Sequence, residues 1–264
     1  GYLGGTPWAY SVFLAELASY GYIVAAIAHT YFASCVTFPD GRAITMDMEK
    51  TQNWSFERMC SDQDIWVKDA QCALDALEKI NFDPIDVFYG LLDMNKVGMF
   101  GHSFGGSTSF LMCLKDVRVK AGINLDGSLQ CNESPKELTK PFIFMWADSS
   151  ANQWNMTNQE LAQKFNSSEE SIQKFRTAFE NSNDIATNPN ISKKIIANFG
   201  HEGFSDLLIL KELPLYKNNK HIVNHDERVG TAEGFDAATL INKHIVDFFN
   251  ACFAKKIDDA LKDA

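Results

Sequence analysis

No apolar run in this 264-residue chain reaches the roughly 18 residues needed to cross a bilayer as a helix. There is no heptad pattern, no internal repeat and no low-complexity block, which excludes coiled coils and solenoids. Basic residues are few: 24 Lys and Arg stand against 34 Asp and Glu, a net charge of −10. That balance argues against a nucleic-acid partner and against simple attraction to an anionic membrane. None of the six cysteines (Cys35, Cys60, Cys72, Cys113, Cys131 and Cys252) forms a C-x-x-C pair, so zinc ribbons and thioredoxin-like redox sites are poor readings. Carboxylates with the spacing of a calcium loop are also missing, and neither metal nor cofactor is expected.

What is present has an ordinary globular balance, 45% hydrophobic and 22% charged. The length suits one large α/β domain over 1–264. Apolar periods alternate between helix-like and strand-like. Helices are expected at 8–20, 61–80 (with Ser61 as N-cap), 103–114 and 235–253. Strands are expected at 22–28, 96–100, 120–126, 141–148 and 194–201. A turn falls at Pro39–Asp40–Gly41. A polar insert spans about 149–190, with helical pattern at 157–180. Strands alternating with helices imply a mostly parallel central sheet with helices on both faces and right-handed crossovers. Cys72 and Cys113 fall on apolar helical faces and read as buried thiols. Cys35 and Cys60 flank a loop and could pair in an oxidising compartment. The sequons at Asn53, Asn132, Asn155, Asn166 and Asn190 matter only in a secretory protein.

One stretch stands apart. "VGMFGHSFGGS" (97–107) runs from a strand into a helix through Gly101-His102-Ser103-Phe104-Gly105, a G-x-S-x-G pattern. A serine on such a tight turn is held exposed at a helix N-terminus, where amides and dipole favour a developing oxyanion. The reading requires small neighbours two before and two after. A serine hydroxyl is a weak nucleophile and needs a base. Of six histidines, His201 in "NFGHEGF" follows the serine and is expected at a strand's C-terminal end, where open α/β sheets gather their reactive groups. His29 ends the first strand and is placed to line the pocket. The acid that orients the base is Asp126 ("INLDG") or Asp148 ("MWADS"); both end strands, and the pattern leaves them open.

The stretch "GHSFGGSTSFLMCLKDVRVKAGINLDG" resembles the plasma-type platelet-activating factor acetylhydrolases, calcium-independent phospholipase A2-type members of the α/β-hydrolase fold. The resemblance extends to "LASYGYIVAAIAH" (17–29), to His201, Phe204 and Asp206, and to the closing helix. It implies that the acid is Asp126, in the Leu125-Asp126 pair 23 residues past Ser103, with Asp148 lining the same rim and Asp206 serving as a helix N-terminal acid. It also implies an oxyanion hole from the amides of Phe104 and Leu3. Leu3 matches a His-Gly-Leu-Gly-type loop, although Tyr2 replaces the first glycine and Gly1 falls in the histidine's place. In that fold the loop follows a strand lying between 22–28 and 96–100. The expectation is that upstream strands, or a companion chain, complete the sheet, and that 22–28 and 96–100 are not paired directly.

The chemistry so read is acyl transfer to water through an acyl-serine. The resemblance implies phospholipids with short or oxidised sn-2 acyl chains; the residues alone support a carboxylic ester. A lipid-aggregate interface could draw on 207–216 and on Trp8, Tyr31, Phe32 and Trp54. Competing readings are a short-chain carboxylesterase or dienelactone-hydrolase-like enzyme, a cutinase-like polyesterase, and a hydrolase-fold binding protein with a silent triad. Export is the expectation for localisation.

Overall fold

The computed structural model describes residues 4–49, 55–129, 135–183, 188–217 and 225–254. A 3-10 turn over Pro7–Tyr10 leads into α1 (Ser11–Ser19). A small antiparallel hairpin follows, β1 (Cys35–Thr37) with β2 (Ala43–Thr45). Its turn passes through Gly41 at φ +84°, so the Pro-Asp-Gly signal marks a hairpin. α2 (Phe56–Phe82) starts at Ser55, whose side chain accepts the Arg58 amide. Ser61, expected as the cap, lies inside this helix, with its hydroxyl bonded to the Glu57 carbonyl at 3.2 Å. α2 buries Met59, Gln63, Trp66, Val67, Ala70 and Leu74, a stripe at helical spacing.

The main sheet is β3 (Val97–His102), β4 (Val119–Leu125), β5 (Phe142–Ala147) and β6 (Ile191–Ile196), all parallel and in that spatial order. α3 (Phe104–Lys115) connects β3 to β4. The polar insert folds as α4 (Asp148–Gln153), α5 (Asn158–Phe165) and α6 (Glu169–Asn183). Thr157 and Glu160 close a reciprocal capping box on α5. The chain closes with α7 (Gly234–Phe253).

Strand period divides the core in two. On β5, Ile143, Met145 and Ala147 face α1 and α7, while Phe142, Phe144 and Trp146 face α2, α3 and α6. Each fully buried side chain of this size contributes about 1.5–3 kcal/mol. Because every β4 and β5 residue but Lys120 is buried, the two strands read as near-continuous apolar runs.

Further expectations are corrected. The last strand ends at Ile196, five residues before His201, because Asn198 turns left-handed at φ +62°. Cys72 is exposed, whereas Cys113 is buried and its thiol is pushed up to about 12 by burial. Cys35 is a free thiol and Cys60 is disulfide-bonded, so these two do not pair.

Residues 22–28 form no strand. Residues 23–28 make no backbone hydrogen bond to any described residue, and they are not paired with β3. Between this segment and β3 lies a cavity of about 500 Å³, lined by Val24, Ile27, Leu74, Met99, Phe100 and Phe249 among others.

Candidate active site

The site is built where β3, β4 and β5 end. β3 stops at His102, and Ser103 adopts φ 58°, ψ −122°, a conformation in which a non-glycine residue stores of order 1–3 kcal/mol of strain. The Ser103 amide donates to the Leu125 carbonyl at 2.8 Å, and the Ser103 carbonyl accepts from Gly106 at 2.9 Å. The turn is tight because a Cβ on Gly101 would lie 2.4 Å from the Gly105 backbone. Gly105 itself is not sterically required: a Cβ there would meet only Trp66, at 3.9 Å. The small residue needed on the helix side is Gly106, where a Cβ would lie 2.3 Å from Asn124 Oδ1. Asn124 is fully buried and closes the turn after β4, exchanging hydrogen bonds with the Gly127 amide (2.7 Å) and carbonyl (2.9 Å).

Asp126 leaves β4 at φ 56°. Its buried carboxylate takes three donors: the Ala147 amide at 2.8 Å, the Ser150 hydroxyl at 2.6 Å and His201 Nδ1 at 2.7 Å. A carboxylate so filled is fixed in place, and its pairing with Nδ1 turns the other ring nitrogen of His201 outward as a proton acceptor. Asp148 does not meet His201. Its carboxylate accepts the amides of Asn198 (2.8 Å) and Phe199 (3.0 Å), holding the loop on which His201 rides. Asp206 likewise acts at a distance in sequence, accepting the Ser11 and Val12 amides at the start of α1.

His201 packs against the ring of His102, centroids 4.5 Å apart. Tyr10 Oη lies 3.1 Å from His102 Nδ1. Burial holds His102 well below the usual imidazole range, and the nearby His201 charge adds to this, so His102 is neutral at physiological pH. Burial, then the charges of Glu202 and Asp206, raise the Tyr10 phenol, which stays protonated. Phe104 opens α3, its side chain 2% exposed. Leu3 lies outside the described residues, but Gly4 next to it is held in place, its amide donating to the Phe32 carbonyl at 2.8 Å. His29 lines the slot beside the site and bonds Asp69 through Nδ1 at 2.8 Å. Among the described residues, no group of three or more His, Cys, Asp or Glu side chains is gathered as a metal site would require.

Ser150, Asn124, Tyr10 and Asp69 were not legible as site residues. Each works through a partner at least 20 positions away, Asn124 excepted, and its signal in the sequence is an ordinary polar residue.

The parallel sheet, its crossovers and the serine turn at the end of β3 define an α/β-hydrolase fold. A ferulic acid esterase from Streptomyces cinnamoneus superposes with a TM-score of 0.66 over 95% of this chain and 64% of that one, at 22% identity. A model of the family described as platelet-activating factor acetylhydrolase, isoform II, matches residues 2–251. The chain belongs to that family. It is 32% identical over 144 residues to the platelet-activating factor acetylhydrolase of Cavia porcellus, a stretch taking in 47% of this chain and 33% of that protein. It is also 32% identical over 124 residues to a protein of Arthroderma benhamiae named "Probable 1-alkyl-2-acetylglycerophosphocholine esterase", covering 47% of this chain and 29% of that one. The matched stretch thus spans about a third of the length of these curated relatives.

Proposed function

We propose that this protein is a serine esterase that hydrolyses carboxylic esters through an acyl-serine, with short sn-2 acyl groups of phospholipids as its substrate class. The observation that carries the reading is the 2.7 Å pairing of His201 Nδ1 with buried Asp126, beside a serine held at φ 58° on the strand-to-helix turn. Ser103 Oγ attacks the ester carbonyl while His201 removes its proton. The tetrahedral oxyanion is held by the amides of Phe104 and Leu3. Collapse expels the alcohol, which takes the proton back from His201. Water, activated by the same imidazole, then attacks the acyl-serine and returns free Ser103. Asp126 fixes the tautomer and stabilises the imidazolium throughout.

The substrate class rests on the family and on the names of the relatives, which act on platelet-activating factor or a glycerophosphocholine ester. Trp8, Tyr31 and Leu215 are exposed and available for a lipid interface, whereas Phe32 and Leu208 belong to the core. The disulfide at Cys60 fits an oxidising compartment.

The slot between 22–28 and β3 supports a second part of the reading: a strand from an upstream segment of the same protein lies there. Both flanking edges present backbone groups without a strand partner among the described residues, and the walls are apolar. An open edge of unpaired backbone groups is a template for a further strand, so an extended chain is the occupant that fits.

The test is a chain-length series of nitrophenyl esters beside a short sn-2 acyl phosphatidylcholine, with full-length wild type and Ser103→Ala. Hydrolysis of both substrate types, lost in Ser103→Ala, is expected. Hydrolysis of soluble esters alone makes the protein a general short-chain carboxylesterase. Silence toward all of them leaves a binding protein.

A further inference from the structure

We infer that His29 and Asp69 form a positioning pair, acting through Trp66 on Phe104, whose amide belongs to the proposed oxyanion hole. The inference rests on the esterase reading above. Trp66 is a buried hub on α2. The His29 ring stacks flat on its indole, centroids 3.7 Å apart and 14° from parallel. Asp69, one turn further along α2, holds that imidazole at 2.8 Å. On another side the indole meets the edge of Phe104 at 4.9 Å and 87°. Phe104 carries the oxyanion amide of the serine turn. Gln63, one turn before Trp66, reaches the same residue by a second route: its amide donates to Thr108 Oγ1 at 2.6 Å, which donates to the Phe104 carbonyl at 2.8 Å.

The 29–33 turn is tied to the same hub. Phe32 packs edge-on against Trp66 at 5.8 Å and 83°. The His29 carbonyl accepts the Phe32 and Ala33 amides at 3.1 and 2.9 Å, so the 29–33 turn moves with the His29 ring. The Phe32 carbonyl then accepts the Gly4 amide, and Ser34 Oγ donates to the Gly4 carbonyl at 2.5 Å. The residue that carries the oxyanion amide of the serine turn therefore rests on an aromatic support clamped by an ion-pair-capable His–Asp contact. Tilting that support by a fraction of an ångström misaligns the donor, and donor geometry governs oxyanion stabilisation.

None of His29, Trp66 or Asp69 is assigned to touch substrate, so their loss leaves ground-state binding intact and reduces transition-state stabilisation. The experiment uses the full-length protein with His29→Ala and Asp69→Asn. The second is conservative and half-exposed, so it folds even if the first does not. Active sites are titrated with a fluorophosphonate, and kcat and KM are measured on nitrophenyl butyrate. Inhibition by a trifluoromethyl ketone, whose adduct places an oxyanion in the hole, is measured in parallel. Per titrated site, kcat is expected to fall about tenfold or more, short of the hundred- to thousandfold loss of a whole donor. KM is expected to stay within about twofold, and the ketone inhibition constant to rise in proportion to the loss in kcat/KM. Unchanged kcat per site in Asp69→Asn, or a fall in kcat with unchanged ketone inhibition, overturns the inference while leaving the esterase reading standing. A wild type without a titratable serine overturns both.

Discussion

At the scale of single residues, the site divides its two strand-end aspartates by what their carboxylates meet. Asp126 meets an imidazole; Asp148 meets two amides of the loop that delivers it. Asp126→Asn is therefore expected to lower kcat by about three to four orders of magnitude with little change in melting temperature, because the tautomer is wrong but the space is filled. Asp148→Ala should instead lower stability by about 1–3 kcal/mol through two orphaned amides, and lower activity less. Steady-state kinetics and urea unfolding on both variants separate the roles. The glycines of the serine turn divide similarly. Gly101→Ala should lower stability severely, whereas Gly105→Ala should leave it within about 1 kcal/mol, helped by alanine's better helix propensity.

His102 supplies a pH dependence. Its folded-state pKa is depressed by burial, so the unfolded chain takes up a proton near 6.5 that the native protein refuses. Stability tied to neutral His102 is thus fully present above the unfolded value and lost as pH falls toward the folded one. The slope is about 1.4 kcal/mol per pH unit for one proton. Urea unfolding between pH 6.5 and 5 should show this slope in wild type and a shallower one in His102→Phe.

At the scale of elements, β3 and the segment at 23–28 are two edges that face a common apolar slot. If an upstream strand fills it, amides of 23–28 in the full-length protein should exchange with solvent slowly. In a chain beginning at Gly1 they should exchange as open backbone does. Rapid exchange in both would remove the strand from the account. Nearby, Ile85, Val87 and Leu91 are 91%, 82% and 63% exposed on the loop leading into β3. Leu91 also lines the slot, so this apolar loop is expected to gain protection along with it.

At the scale of the whole molecule, the proposed action on phospholipid makes the net charge of −10 a determinant of which lipid surfaces are favoured. On vesicles carrying a short sn-2 acyl phosphatidylcholine, adding phosphatidylserine should slow hydrolysis, and salt should relieve the slowing by screening. An increase on adding the anionic lipid would point to a local basic docking surface that the net charge hides. Among the described residues no helix is long and apolar enough to cross a membrane.

The elements read most clearly in the sequence were those whose signal is local. β4 and β5 are short apolar runs bounded by polar turns. α7 has an uninterrupted apolar stripe. The serine turn is legible because a positive-φ serine demands small residues close by in the chain. Even there the local rule misjudged which glycine was needed, since Gly106 is constrained by Asn124, on another strand. The apolar run at 22–28 was legible, but pairing was not, because a strand exists only with a neighbour to bond. The residue pattern left two aspartates open and only the resemblance favoured Asp126; the tertiary structure brings that carboxylate to His201, 75 residues away. It alone separated Cys35 from Cys60 and joined His29 to Asp69 across 40 residues. Composition and period record how each residue relates to solvent and to its near neighbours in the chain. They carry no record of which polar atom, delivered by a distant loop, arrives within 3 Å.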